Sequence, residues 1–386
     1  MLEFLACLGL CAPYKEAVLY EASSVFHPHP SISSPEEGCF IQYVCDNADH
    51  NVATIDGLNT FHSMGIIKII TPYDKIHEDQ LITRLTTIPT AAEMATIAQV
   101  QIKIYENYGV QGLKKIMVEK LDCDEITTTS MLRNSDILWM YKKWKRVPKV
   151  PGWSGFMEYL TKDEIYRKSR IIYLPFINQP ASNYNTLYTS LQCILDDGKM
   201  HGHTTCVVTF DQPLYFKARE IVATSVENSE FSKIIVRLGG FHLLMSFLGS
   251  IGYIMAESGL KEVISTIYAP NSVDKILLGH AYSRAIRAHT LLQVAISEII
   301  FNEITLDDDK NEFFKRYLEN VDKESPSFKD VERSSAVTEL KAEFDEKISE
   351  IRNRGPTAKL WVQYFEMITI AKEFIERKEW EIGRHI

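Results

Sequence analysis

The sequence lacks several features that would place it in a familiar class. Its seven cysteines are an odd number and include no CxxC pair, which argues against a disulfide framework and favours reduced thiols in an intracellular protein. It also lacks an excess of basic residues, because 51 Asp and Glu outnumber 42 Lys and Arg for a formal net charge of −9. That balance argues against a protein that coats nucleic acid by charge alone, although a local basic groove stays compatible with it.

Long uncharged runs are scarce as well. The start of the chain lacks the basic region of a signal peptide and carries Glu3. Residues 238–256 contain no formally charged side chain and approach the length of a membrane span. Glycines interrupt this run at four positions, which favours a buried strand-to-helix unit. Membrane association through this run is the alternative.

The composition is otherwise that of a globular protein, with 45% hydrophobic and 24% charged residues. We expect five regions in chain order. These are a helical N-terminal remnant (1–30), the first part of an α/β core (38–73), an insertion or second lobe (74–180), the second part of the core (184–258) and a helical region (259–386). Within the last, the acidic residues 305–335 indicate an exposed linker.

Two kinds of pattern predict the core. Apolar, β-prone runs at 39–46 and 65–71 flank a turn at Asp56-Gly57 and indicate an antiparallel meander. From Tyr184 onwards, helical periodicity alternates with short apolar strands that end at Asp211 and near Leu238. Strand–helix–strand–helix order is typical of parallel pairing. The fold class is therefore α/β, with a mixed sheet.

Asp46 and Asp211 share one setting, since each directly follows a short hydrophobic strand. Ligand groups gather at the carboxyl ends of strands in open α/β sheets, and neighbouring carboxylates there suit hard divalent cations. The alternative is that both residues cap turns or helices, which Asp does readily.

Four segments carry a resemblance to a known family. They read QYVCDNADHNVATIDGLNTFHSMGII, VTFDQPLYFKAREIV, RGPTAKLWVQYFEMI and the run from Arg237 to His289 that begins RLGGFHLLMSFLGSIGYIM. They resemble an uncharacterised, multicopy family of transposon-derived proteins with a ribonuclease H-like core. The resemblance implies that Asp46 and Asp211 are the first and second core carboxylates, that Mg²⁺ or Mn²⁺ is the cofactor, and that DNA is the partner of a nuclear protein.

The chain departs from that family in one respect. Such cores take a third acid from a late helix, and the acidic segment we would assign to it is missing. Both ends of the chain fall inside helical patterns, so we expect a copy truncated at both ends. Glu257 and Glu366 are the acids that could substitute, and a structural salt bridge is the alternative for each.

Further candidates surround these residues. Asp49 and His50 follow Asp46 closely and could add metal ligands. A basic and aromatic segment could contact phosphates through its cations, and an ordinary solvated helix face explains it equally well. Those cations are Lys142, Lys143, Lys145, Arg146 and Lys149.

Two functions therefore compete. The first is transposase-like phosphodiester chemistry with two metal ions, possible in intact relatives and dependent here on the missing acid. The second is a non-catalytic interaction protein on the same fold. The separation of the Asp46 and Asp211 side chains discriminates between the two.

Overall fold

The computed structural model of the chain separates into two compact units. The sheet unit comprises Met1–Val118 and Arg167–Gly239, and the helical unit comprises Glu119–Tyr166 and Gly240–Ile386. The structure describes residues 6–7, 11–26, 40–51, 60–71, 84–90, 92–93, 99–106, 132–164, 169–200, 202–225, 229–306, 308–324 and 326–382. The turn expected at Asp56-Gly57 lies outside these residues.

The sheet unit contains one five-stranded mixed sheet in the order β3-β2-β1-β4-β5. Its strands are β1 (Phe40–Asn51), β2 (Thr60–Thr71), β3 (Arg170–Tyr173), β4 (Cys206–Phe210) and β5 (Ile234–Leu238). Strands β1, β2 and β3 form an antiparallel meander. Strand β4 pairs in parallel with both β1 and β5. The mixed sheet predicted from the sequence is confirmed.

Alternation along the strands gives the sheet two different faces. On β4, Cys206, Val208 and Phe210 are buried, whereas Val207 and Thr209 are only partly so. The buried face packs against the apolar stripes of two helices, which include Leu191 and Ala218. The opposite face, here called the second face, carries the intervening side chains, because successive residues of a strand point to opposite sides.

Three helices of the sheet unit complete the described part of this unit. They are α1 (Tyr14–Phe26), α4 (Tyr184–Met200) and α5 (Gln212–Thr224). The hydrophobic spacing in α4 and the proline in the first turn of α5 had predicted the last two. The sequence pattern missed β3, which lies within the range assigned to an insertion. This strand has only four residues and half of its side chains are exposed, so it carries little periodicity.

The helical unit contains the remaining helices of the described residues. They are α2 (Asn134–Trp144), α3 (Trp153–Leu160), α6 (Gly240–Ile254), α7 (Leu260–Ser265), α8 (Pro270–Leu277), α9 (Tyr282–Glu303), α10 (Asp308–Glu324), α11 (Phe328–Glu332), α12 (Ser335–Arg352) and α13 (Pro356–Ile382). Aromatic side chains dominate one of its two cores, where Phe301, Phe344 and Phe365 are almost fully buried.

The linker expected at 305–335 is instead helical. Asp308 and Asp309 lie in the first turn of α10, where acidic side chains interact favourably with the helix dipole. Ser327 and Asp330 form a capping box at the start of α11. The charges that suggested a solvated linker therefore act as helix-start signals.

The uncharged run at 238–256 forms the end of β5 and helix α6. Leu244, Leu248 and Ile251 of α6 are buried in a core of the helical unit. Among the residues that the structure describes, no helix has the length and apolar character needed to cross a membrane. The strand-to-helix prediction for this run is confirmed.

Candidate active site

The register of the sheet brings Asp46 and Asp211 to neighbouring positions. Strands β1 and β4 run parallel, and their last paired residues are Cys45 and Phe210. Asp46 and Asp211 are the next residue on each strand. Because adjacent strands lie about 4.8 Å apart, the two aspartates follow the pair side by side at the carboxyl end of β4.

Asp46 is exposed, and its carboxylate is available to a ligand. Cys45 beside it is fully buried, so alternation directs Asp46 to the second face. Its Oδ1 accepts a 2.7 Å hydrogen bond from the backbone N–H of Asn47. This local contact orients the carboxylate without neutralising it.

Asp211 is held by the helix that it precedes. It is the N-cap of α5, and its Oδ1 accepts a hydrogen bond of 3.0 Å from the backbone N–H of Leu214. The capping alternative is therefore correct for Asp211, but it occupies only one carboxylate oxygen. The cap fixes the side chain beside the positive end of the α5 dipole.

Within the described part of the chain, neither Asp46 nor Asp211 forms an ion pair with a basic side chain. Two adjacent carboxylates without a cationic partner match the oxygen ligands that hard divalent cations prefer. Among the described residues, however, no group of three or more His, Cys, Asp or Glu side chains is arranged to hold a metal ion. The pair is thus a partial ligand set.

Asp49 does not join this pair. It lies three residues after Asp46 in an unbroken β1–β2 register, so alternation places it on the opposite side of the strand. Its carboxylate accepts hydrogen bonds of 2.7 Å from His62 Nδ1 and from Asn47 Nδ2. The bond from His62 holds the pKa of Asp49 below its usual value. His50 pairs with Phe61 in the same ladder, and its side chain lies outside the described part.

Glu257 and Glu366 belong to the helical unit. Glu257 is exposed and lies in the turn after α6, with a left-handed backbone at φ 60°. Glu366 lies on α13 and accepts a hydrogen bond from Arg352, so the salt-bridge alternative is correct for it. The structure therefore gives Glu366 a structural partner and places Glu257 on a turn rather than on the expected helix.

The basic cluster near residue 145 mostly serves the packing of the helical unit. Lys142 is only 5% exposed, which removes it from the candidate phosphate contacts. Lys143 donates to the carbonyl of Val150, and Lys145 Nζ lies 3.8 Å from the ring centroid of Trp144.

Two cations of the cluster are exposed. Arg146 forms a 3.1 Å ion pair with Glu298. Lys149 is exposed and has a left-handed backbone at φ 61°. Of the five predicted contacts, Lys149 therefore remains the most accessible to a phosphate. The sequence could not separate these cases because burial of a lysine depends on long-range packing.

Sequence reasoning missed the neighbours of Asp46 on the sheet. Gly65 of β2 is the register partner of Asp46. A Cβ added to Gly65 would lie 3.0 Å from a ring carbon of Phe176, so the ring of Phe176 covers this glycine. Arg237 of β5 is the register partner of Thr209, two residues before Asp211. Phe176 follows the unforeseen strand β3, and no sequence signal placed it here.

The comparisons with known proteins identify a family without a known function. A family model described as "Domain of unknown function (DUF8702)" matches residues 152–381, which is more than half of the chain. The chain belongs to this family. The matched region includes Asp211 but not Asp46. No curated protein and no solved structure matches the chain.

Proposed function

We propose that the sheet unit is a ribonuclease H-like module of transposase descent that processes phosphodiesters with Mg²⁺ or Mn²⁺. The observation that carries this proposal is the parallel register that brings Asp46 beside Asp211. DNA as the partner and the nucleus as the location belong to the same proposal, because they follow from the transposase resemblance.

The topology supports the proposal. An antiparallel meander followed by two strands parallel to β1 is the order expected for a ribonuclease H-like core. The sheet also ends at the N-terminus of α5, whose free N–H groups and dipole favour an anionic phosphate.

The two carboxylates would hold the cation. When bound, a divalent cation supplies a Lewis acid that lowers the pKa of water and stabilises a leaving oxygen. Asp211 is fixed by its N-cap bond to Leu214 and keeps its second oxygen for ligation. Asp46 presents an exposed carboxylate from the adjacent strand, so the pair draws on two elements that one sheet holds together.

The alternative is a non-catalytic interaction protein on the same fold. The observation that favours it is that no group of three or more ligands occurs among the described residues. Both functions are compatible with the aspartate pair, but only the first requires a bound metal ion.

Isothermal titration of Mn²⁺ tests the proposal. We expect the wild type to bind Mn²⁺, and we expect Asp46→Asn and Asp211→Asn to lose most of the heat. Asparagine is also a good N-cap, so Asp211→Asn removes the charge and keeps α5 capped. Asp49→Asn is the matched control, because Asp49 lies on the other side of β1.

Each outcome has a defined meaning. Loss of heat in Asp46→Asn and Asp211→Asn, with Asp49→Asn unchanged, supports the metal site. Equal heats in wild type and Asp46→Asn reject it and favour the interaction protein. Cleavage of a labelled DNA strand by the wild type with Mn²⁺, absent from Asp46→Asn, would extend the result from binding to catalysis.

A further inference from the structure

The second face of the sheet carries a half-exposed aromatic ring beside the carboxylate pair. Phe176 is 49% exposed, although a phenylalanine of this size contributes to stability mainly when it is buried. Its backbone is fixed, because Met64 and Ile177 exchange two hydrogen bonds of 2.9 and 3.0 Å. The residue therefore has a defined position and an exposed ring.

The ring lies directly next to Asp46 in the sheet. Phe176 covers Gly65, which lacks a side chain and is the register partner of Asp46. The ring of Phe176, the backbone of Gly65, Asp46 and Asp211 thus form a row across three strands. From Gly65 to Asp211 the row spans two strand spacings, about 10 Å.

We infer that Phe176 is a stacking platform for an unpaired nucleobase whose phosphate lies at the Asp46–Asp211 pair. This inference rests on the proposed function. Aromatic rings that bind single strands stack on bases of any identity, because every base has a π-face. A duplex hides those faces within its own stack, so the platform selects single-stranded nucleic acid.

A binding experiment without metal tests the inference independently of catalysis. The probe is a fluorescein-labelled oligothymidylate, titrated in EDTA and followed by fluorescence anisotropy. We expect Phe176→Ala to weaken binding roughly five- to a hundredfold, the effect of losing one stacked base. Phe176→Trp keeps a ring and should retain most of the affinity.

Phe40 provides a matched control. It is the same residue type, is 50% exposed, and starts β1, an even number of residues before Asp46. It therefore projects from the same side of the strand, but about 20 Å from Asp46 along β1. We expect Phe40→Ala to bind the oligothymidylate like the wild type.

Further probes define the ligand class. A single-stranded RNA should depend on Phe176 in the same way as the DNA, and a DNA duplex should not. Equal binding by wild type and Phe176→Ala, equal losses in Phe176→Ala and Phe40→Ala, or no binding by the wild type would each overturn the inference. Far-ultraviolet circular dichroism shows whether the variants keep their fold.

The inference and the proposed function can fail separately. If Asp46→Asn loses Mn²⁺ binding while Phe176→Ala binds the oligothymidylate normally, the metal site stands and the platform does not. If Mn²⁺ binds equally to wild type and Asp46→Asn while Phe176→Ala loses affinity, the platform stands as a single-strand binding site without the metal chemistry.

Discussion

The acidic side chains of the two units differ in their partners. In the helical unit, Asp136 contacts Lys372 and Glu376 contacts Arg133, each at 2.5 Å. In the sheet unit, Asp46 and Asp211 have no basic partner among the described residues. A carboxylate already neutralised by a side chain has little left to offer a metal ion. The comparison therefore separates acids that stabilise the fold from acids that are available to a ligand.

Each unit also buries one lysine, in different surroundings. Lys372 Nζ lies within 5.4 Å of the ring centroids of Trp139 and Trp153, and Trp153 donates to the same Asp136 oxygen at 3.0 Å. Lys68 contacts Asp197 at 2.7 Å, and the Asp197 side chain is 14% exposed. The pair in the helical unit is enclosed, whereas the pair in the sheet unit reaches solvent.

The largest expected effect comes from removing Lys372. Lys372→Met leaves Asp136 as a buried charge without its cation, and we expect the free energy of unfolding to fall by about 3–5 kcal/mol. Urea denaturation followed by tryptophan fluorescence measures this, because all five tryptophans of the sequence fall within the ranges of the helical unit.

Lys68→Met provides the counterpart in the sheet unit. Asp197 keeps a 2.5 Å hydrogen bond from the Tyr43 hydroxyl and its access to water, so we expect a loss of roughly 1.5–3 kcal/mol. Circular dichroism follows this unfolding. If both substitutions cost the same, the enclosure of the Lys372 pair has no energetic consequence.

The next effect concerns close helix contacts. A Cβ on Gly252 of α6 would lie 2.1 Å from the carbonyl oxygen of Leu277 in α8. That oxygen belongs to the backbone and cannot rotate away, so we expect Gly252→Ala to cost about 2–3 kcal/mol. Urea denaturation of the variant gives the value.

Two glycines calibrate that measurement. In the sheet unit, a Cβ on Gly198 would lie 2.6 Å from Cys206 Sγ, and a side-chain sulfur can adjust, so Gly198→Ala should cost less than Gly252→Ala. A Cβ on Gly152 would have no atom within 4 Å, and Gly152→Ala should be nearly neutral. A neutral Gly252→Ala would show that α6 and α8 separate easily.

The helical unit should also respond to pH in two opposing ways. Burial raises the pKa of Glu376 to about 7 from 4.5, so its contribution is present below about pH 4.5 and is lost as pH rises through 7. Burial lowers the pKa of His289 to about 4 from 6.5, so its contribution is present above pH 6.5 and is lost as pH falls through 4. The two effects oppose each other where the windows overlap.

Glu376→Gln separates the two effects. We expect the free energy of unfolding of this variant to rise by about 2–3 kcal/mol between pH 4 and 6.5, because only the His289 effect remains and one pKa unit corresponds to about 1.4 kcal/mol. His289→Gln should fall instead, by ~1–2 kcal/mol between pH 4.5 and 7, since Arg133 partly compensates the Glu376 charge. Parallel pH profiles of the two variants would contradict this account.

The smallest effect separates capping from ligation at Asp211. Without metal, Asp211→Ala removes the bond to the Leu214 N–H and should cost about 1 kcal/mol, whereas Asp211→Asn should cost little. Thermal unfolding in EDTA compares them. Equal stability of the two variants would mean that the cap contributes nothing and that Asp211 is fixed by other contacts.

Part of the fold and of the site could be predicted because it depends on neighbours in sequence. The apolar runs that end at Asp46 and Asp211 predicted two strands of the sheet, and the proline after Asp211 predicted α5. The long helix expected over residues 273–299 instead divides into α8 and α9, with Gly279 between them at φ 75°. Apolar periodicity continues across such a break, so it did not mark this one.

By itself, the sequence determined the alternation of strands and helices and the position of one acid at the end of each of two strands. Only the tertiary structure decided that Asp46 and Asp211 are neighbours, that Phe176 covers Gly65 and that Lys142 is buried. The physical reason is range. Periodicity and capping act over a few residues, whereas strand register and side-chain burial depend on segments far apart in the chain.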